Sequence, residues 1–142
     1  IPLLLIALIR IDNATDFISR KRRFDDAETL TRITETNFPK FKVVEFYEDW
    51  ILGPNLKHDN ELTLEFKKLP TENFYIVIDS LARDTASGWS AKDDSTYYYS
   101  RTWGNGLPAP LGESDEEDMF LEIEIKRGEK RFYVYYGVSE IK

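Results

Sequence analysis

The stretch that decides the fold lies near the C-terminus, where residues 121–138 read LEIEIKRGEKRFYVYYGV. Apolar and polar side chains alternate on both sides of a central glycine, which is the two-residue period of a strand with one buried face. A turn around Gly128 joins the two halves as a predicted antiparallel hairpin. The predicted buried side chains are Leu121, Ile123, Ile125, Phe132, Val134, Tyr136 and Val138. The last strand is a candidate for a sheet edge.

An earlier hairpin follows the same rule between residues 41 and 66. Val44, Phe46 and Trp50 share one face of its first predicted strand. Residues 53–60, which include His58, predict a loop because they combine glycine, proline, asparagine and aspartate. The apolar face of its second strand carries Leu62, Leu64 and Phe66.

A shorter hairpin is predicted around a turn at residues 93–95. It joins a strand that contains Trp89 and Ala91 to a strand over residues 96–103. Between this hairpin and the last one, residues 104–112 hold three glycines and two prolines, so they predict an irregular loop. Loops of this length often carry function, although a structural crossover between strands is the alternative.

Two segments have helical signals. Asp25 and Glu28 form a capping arrangement that starts a helix over about residues 26–37, and the Phe38-Pro39 pair ends it. A second helix opens at Thr71, after a proline. Its predicted inner stripe consists of Phe74, Val77, Ile78 and Leu81.

These elements predict an α+β fold in the order α-β-β-α-β-β-β-β. Short links between consecutive strands make the sheet of about six strands mostly antiparallel. Two helices then pack on one face of the sheet and leave the other face wetter. That second face carries Glu45, Tyr47, Glu65, Lys67, Glu122, Glu124, Tyr133 and Tyr135.

Composition narrows the classes of function. The 142 residues suit one globular domain, and the chain has no cysteine and a single histidine, His58. Thiolate catalysis and structural zinc of the cysteine type are therefore excluded, and no metal site or cofactor is expected. His58 is expected to be a solvated turn residue, and we predict no catalytic residue and no enzyme. Glu45 and Glu65, facing each other across a hairpin, keep a carboxylate-based hydrolase open as a third hypothesis.

The charge balance indicates the kind of partner. Nineteen basic and 26 acidic residues give a net charge of −7, with the excess acid mostly in the second half. Such a surface repels phosphate backbones, so we expect no nucleic-acid partner. A predicted acidic patch comprises Glu113, Asp115, Glu116, Glu117 and Asp118 and suits a basic protein partner. Solvated surface is the alternative explanation of this charge run.

The aromatic strand over residues 97–103 is the leading candidate for a contact site. Alternation places Tyr97, Tyr99, Arg101 and Trp103 on one face, and Asn105 follows in the loop. If exposed, this aromatic platform could stack on a sugar or anchor a protein partner. The alternative is that the rings form the core under the helices, which is the commoner fate of large aromatics.

The N-terminal segment is unusual because residues 1–9 carry no polar side chain and residues 20–23 read Arg-Lys-Arg-Arg. This pattern predicts a membrane-anchor or signal remnant over residues 1–24, followed by one domain over residues 25–142. The expected location is membrane-associated or exported. The alternatives are an apolar segment packed on the domain's own core and a cytoplasmic protein.

Three functional hypotheses result. The leading one is a non-catalytic binding or interaction domain for a protein or carbohydrate, tethered to or exported through a membrane. The second is a small acidic inhibitor or immunity-type protein that binds a basic partner. The third is the carboxylate-based hydrolase. The sequence leaves the ligand and the oligomeric state open.

Overall fold

The computed structural model describes residues 27–51, 57–104 and 117–140. Within these ranges the elements are α1 (Ala27–Thr34), β1 (Phe41–Ile51), β2 (Lys57–Phe66), α2 (Glu72–Ala82), a 3-10 turn (Thr85–Ser87), β3 (Trp89–Ala91), β4 (Thr96–Trp103), β5 (Glu117–Lys126) and β6 (Arg131–Glu140). The predicted α+β class, with two helices and a six-stranded antiparallel sheet, is confirmed.

The six strands form one sheet in the order β1-β2-β6-β5-β4-β3. All neighbouring strands are antiparallel. The last strand of the chain, β6, lies in the middle of the sheet between β2 and β5, so the expectation that it forms an edge is wrong. Sequence patterns reveal hairpins, but the β2–β6 pairing joins strands that are far apart in the chain.

The core lies between the helices and one face of the sheet. Helix α1 contributes Leu30 and Ile33, and α2 contributes Phe74. In the sheet, the fully buried rings of Phe66 and Phe132 stack with their centroids 4.4 Å apart. Removing such large apolar surfaces from water is the main driving force for folding, at roughly 25 cal/mol per Å².

Both helices differ in detail from the sequence prediction. Helix α1 ends at Thr34, three residues early, because Glu35 adopts a left-handed conformation with φ 55°. In α2 the buried stripe contains Tyr75 where Val77 was expected, and Val77 is 39% exposed. The reason is that the Tyr75 ring stacks on Tyr97, with the centroids 5.9 Å apart.

Arg127 connects α2 to the turn between β5 and β6. Its guanidinium donates hydrogen bonds to Glu72, to Asp79 Oδ2 at 3.4 Å and to the Tyr97 hydroxyl at 2.6 Å. It also lies 4.7 Å from the centroid of the Tyr75 ring. Guanidinium groups suit this combination of carboxylate pairing and ring stacking. One side chain therefore ties the helix, the sheet and the β5–β6 turn together.

The first hairpin contains an irregularity that alternation alone does not reveal. Val43 pairs with Leu64 and Glu45 pairs with Thr63, so Val44 is an extra residue in β1. Such a bulge shifts the side-chain phase by one residue. Val43 therefore lies on the same face as Phe46, and the expected grouping of Val44 with Phe46 is wrong. The three residues 58–60, expected in the loop, belong to β2.

No helix in the described ranges is long and apolar enough to cross a membrane. The predicted anchor or signal remnant, its alternative as core structure and the boundary at residues 24 and 25 all lie outside the described residues.

Two glycines offer a test of the packing around β4. Gly88 and Gly128 both have φ 84°, where a side chain is strained. A Cβ at Gly88 would lie 2.7 Å from the buried Tyr99 ring, whereas a Cβ at Gly128 meets nothing within 4 Å. We expect Gly88→Ala to lower the free energy of unfolding by about 1–3 kcal/mol more than Gly128→Ala, which carries only the backbone strain. Urea denaturation measures both. Equal losses would contradict the packing of Tyr99 against Gly88.

Candidate binding face

The face of the sheet opposite the helices forms a shallow depression of about 640 Å³. Side chains from five strands project into it, and tyrosines and glutamates predominate among them. We call this surface the tyrosine–glutamate face. It consists of Glu45, Tyr47, Glu61, Thr63, Tyr98, Glu122, Glu124, Tyr133 and Tyr135.

The strand register alternates rings and carboxylates across this face. In one row Tyr47 pairs with Glu61, Glu61 with Tyr135, and Tyr135 with Glu122. In the next row Tyr133 pairs with Glu124, which pairs with Tyr98. Neighbouring strands are about 4.8 Å apart, so each of these rings has a carboxylate beside it.

Two of the four rings are accessible to a partner. Tyr47 is 62% exposed and Tyr133 is 48% exposed, while Tyr98 and Tyr135 are half-buried. The Tyr135 hydroxyl donates a hydrogen bond to Asp59 Oδ2 at 3.2 Å, which fixes its position. The face thus combines two half-buried rings with two exposed rings that can pack on a ligand.

The carboxylates of this face lack basic partners within the described part of the chain. Glu65, by contrast, forms two salt bridges: its carboxylate lies 3.7 Å from Lys42 Nζ and 3.6 Å from Arg131 Nε. Among residues 27–51, 57–104 and 117–140, no salt bridge of this kind forms at Glu61, Glu122 or Glu124. Glu45 accepts a hydrogen bond from the Thr63 hydroxyl at 3.4 Å. The depression is therefore a region of uncompensated negative charge.

The pKa values of two tyrosines on this face are raised, first by burial and then by the neighbouring carboxylates. Burial raises the pKa of Tyr98 from 10.0 to about 12, with further contributions from a hydrogen bond to Glu122 and from the charges of Glu122 and Glu124. Burial also raises the pKa of Tyr135, and the carboxylate of Asp59 adds to that effect. Both rings remain neutral at physiological pH, so they offer hydroxyl donors and the negative faces of their π systems.

This arrangement is suited to binding cations. An ammonium or guanidinium group can pair with a glutamate while it packs on the adjacent tyrosine ring, and such cation–π contacts contribute roughly 0.5–2 kcal/mol each. The described ranges hold no group of three or more His, Cys, Asp or Glu side chains that could hold a metal ion.

The predicted aromatic platform lies on the opposite face of the sheet. Tyr97, Tyr99 and Trp103 are 1%, 0% and 8% exposed, so they form core under the helices, the second of the two alternatives that the sequence left open, and not an exposed platform. The Tyr99 hydroxyl donates to the carbonyl of Ile33, and Trp89 packs edge-on against the Tyr99 ring. The sequence correctly predicted that these side chains share one face of the strand. The sheet buries this face, which carries more rings than the other.

The other predicted site residues are dispersed. Arg101 is exposed, and its guanidinium lies 5.2 Å from the centroid of the Trp103 ring that it helps to cover. Asn105 and the acidic residues Glu113, Asp115 and Glu116 lie outside the described residues. Glu117 begins β5, and Asp118 is half-buried. The structure thus brings Arg101 and Trp103 together. Most of the predicted acidic patch lies outside the described residues.

Two further expectations are corrected. Glu45 and Glu65 are not directly opposed, because Glu45 pairs with Thr63 and Glu65 pairs with Lys42. His58 lies in β2, half-buried, and its Nδ1 accepts a hydrogen bond from Asn60 Nδ2 at 2.7 Å. It is therefore no solvated turn residue. Strand β2 begins at Lys57, inside the predicted loop, because its residues pair on both sides, with β1 and β6.

Part of this face was predicted from the sequence, and three of its members were missed. Glu45, Tyr47 and Tyr133 were expected on the wetter side of the sheet, and the structure places them there. Glu61, Thr63 and Tyr98 were missed. The signal for all three was the alternation itself, since each stands between two residues that point into the core.

No family model, curated protein or solved structure matches this chain.

The raised pKa of Tyr98 can be tested directly. We expect Glu122→Gln to lower this pKa from about 12 towards 10, because the substitution removes the charge that disfavours the tyrosinate. The shift is measured from the ¹³Cζ resonance of labelled tyrosine, with Tyr98→Phe as the assignment control. Since the folded pKa lies above that of the unfolded chain, this group stabilises the fold below pH 10 and ceases to do so as the pH rises towards 12. An unchanged pKa in Glu122→Gln would show that Glu122 does not contribute to the raised pKa of Tyr98.

Proposed function

We propose that this chain is a non-catalytic binding domain that recognises a basic segment of a protein partner through the tyrosine–glutamate face. The observation that carries the proposal is the alternation of glutamates, which form no salt bridge within the described residues, with tyrosine rings across one open face of the sheet. The proposal joins the two leading hypotheses from the sequence, a binding domain and an acidic protein with a basic partner. The proposed contact surface is now the tyrosine–glutamate face, on the side of the sheet opposite to Tyr97, Tyr99 and Trp103.

A Lys or Arg side chain is the ligand group that uses every feature of this face. Its charge is balanced by Glu122 or Glu124, and its apolar stem or planar head packs on Tyr133. A neutral sugar would use the rings but would leave the carboxylates without a partner. A phosphate backbone would be repelled by the same carboxylates.

The dimensions of the face favour an extended polypeptide over a small molecule. From β1 to β4 the face crosses four inter-strand spacings, which is roughly 19 Å. An extended segment of about six residues has that length. Several cationic side chains of one segment can then reach several carboxylates at once.

Binding of a ten-residue arginine peptide by the whole chain tests the proposal. We expect the Glu122→Gln/Glu124→Gln variant to lose affinity on the order of tenfold, because two charge pairs of about 0.7 kcal/mol each are removed. Tyr133→Ala should weaken binding further without unfolding the domain, since the ring is 48% exposed. Isothermal titration calorimetry at low and high salt measures the affinity, which should fall as salt rises.

The matched control is Asp94→Asn/Glu129→Gln. Both of its sites are exposed, lie in turns away from the face and change the net charge by the same two units. We expect this control to bind the peptide almost as well as the unaltered protein. Equal losses in the two double variants would mean that the peptide senses net charge alone, which would contradict the proposal. Preference for a neutral oligosaccharide over the peptide would contradict it as well.

A further inference from the structure

A second concave surface lies beside the core. Its lining differs in chemistry from the tyrosine–glutamate face. It is a groove of about 710 Å³ between the segment that joins α1 to β1 and the segment that joins β2 to α2. Its apolar lining includes Phe38, Pro39, Leu69, Phe74 and Val77. The volume is in the range of sites that bind small organic molecules, roughly 300–1,000 Å³.

The two walls of the groove are held together by backbone and ring contacts. The amide of Lys67 donates to the carbonyl of Lys40 at 2.9 Å, which links one connecting segment to the other. At the floor, Phe38 packs edge-on against Phe74 with the ring centroids 5.6 Å apart. Prolines at positions 39 and 70 restrict the backbone of each wall. The groove is thus a formed feature of the fold.

Apolar side chains remain uncovered at the mouth of this groove. Leu69 is 52% exposed and Val77 is 39% exposed. Single exposed apolar residues are ordinary, but two in the lining of one concave apolar surface mark a place where a ligand can remove apolar area from water.

The rim of the groove is basic although the protein is acidic. Lys40, Lys67 and Lys68 all line it, and all three are exposed. None of them forms a salt bridge within the described part of the chain, where the lysine that pairs with a glutamate is Lys42. Three ammonium groups beside an apolar groove complement a ligand with an anionic head and an apolar tail.

We propose that this groove binds a long-chain carboxylate, a fatty acid. The hydrocarbon tail lies against Phe38, Phe74 and Val77, and the carboxylate lies among the ammonium groups of Lys40, Lys67 and Lys68. The site is separate from the tyrosine–glutamate face and takes a ligand of the opposite charge. Its occupancy therefore does not depend on whether that face binds a basic segment.

Titration calorimetry with monomeric dodecanoate tests the site on the whole chain. We expect saturable binding with one equivalent, and an affinity at least tenfold higher than for dodecyltrimethylammonium, which has the same tail and the opposite charge. Lys67→Gln/Lys68→Gln should weaken dodecanoate binding on the order of tenfold. The matched control, Lys92→Gln/Lys126→Gln, removes two exposed lysines outside the groove and should leave the affinity within about twofold.

Val77→Asp places a charge on the groove wall and should abolish binding, while circular dichroism reports whether the helix is intact. Should that variant unfold, Leu69→Asp introduces the same charge at an exposed position of the connecting segment and is expected to give the same loss. Absence of saturable dodecanoate binding to the folded protein would overturn the proposal. Equal affinity for the anionic and cationic amphiphiles, or unchanged affinity in Lys67→Gln/Lys68→Gln, would also overturn it.

Discussion

The pairing of β2 with β6 in the centre of the sheet is the constraint on which the rest of the structure depends. It sets Leu62 opposite Val134 and Glu61 opposite Tyr135. Because side chains alternate with a period of two, a slip of one residue in this pairing would exchange the buried and open faces of the strand. The same register fixes which rings enter the core and which meet the solvent. The tyrosine–glutamate face is therefore a direct consequence of the way the core is packed.

The two surfaces that remain outside the core have opposite charge. The open face of the sheet collects glutamates that lack basic partners, while the groove at the end of the core is rimmed by Lys40, Lys67 and Lys68. Charges that stabilise the fold are arranged differently, as Arg127 shows by contacting Glu72, Asp79 and Tyr97 at once. Pairing neutralises charge where elements must be held together. On these two concave surfaces a ligand can supply the missing partner.

The sequence predicts much of this fold because alternation is a local property. The inward positions Leu121, Ile123 and Ile125 and the outward position Tyr133 were all identified from the two-residue period. Alternation does not show which face of a strand the helices cover, which is why the sequence left open whether Tyr97 is exposed or buried. The bulge at Val44 depends on the register of β1 against β2, and the central position of β6 depends on its pairing with β2, which is far away in the chain. Neither pairing leaves a periodic signal in a single strand.

Hydroxyl-radical footprinting of the native protein, read by tandem mass spectrometry, tests the central claim that the tyrosine–glutamate face is open and the aromatic strand is core. Oxidation rates of individual tyrosines follow the accessibility of their rings. The structure predicts fast oxidation of Tyr47 and Tyr133 and protection of Tyr97 and Tyr99. Fast oxidation of Tyr97 and Tyr99 with protection of Tyr47 and Tyr133 would show that the sheet buries its other face, and would contradict both the fold assignment and the binding surface derived from it.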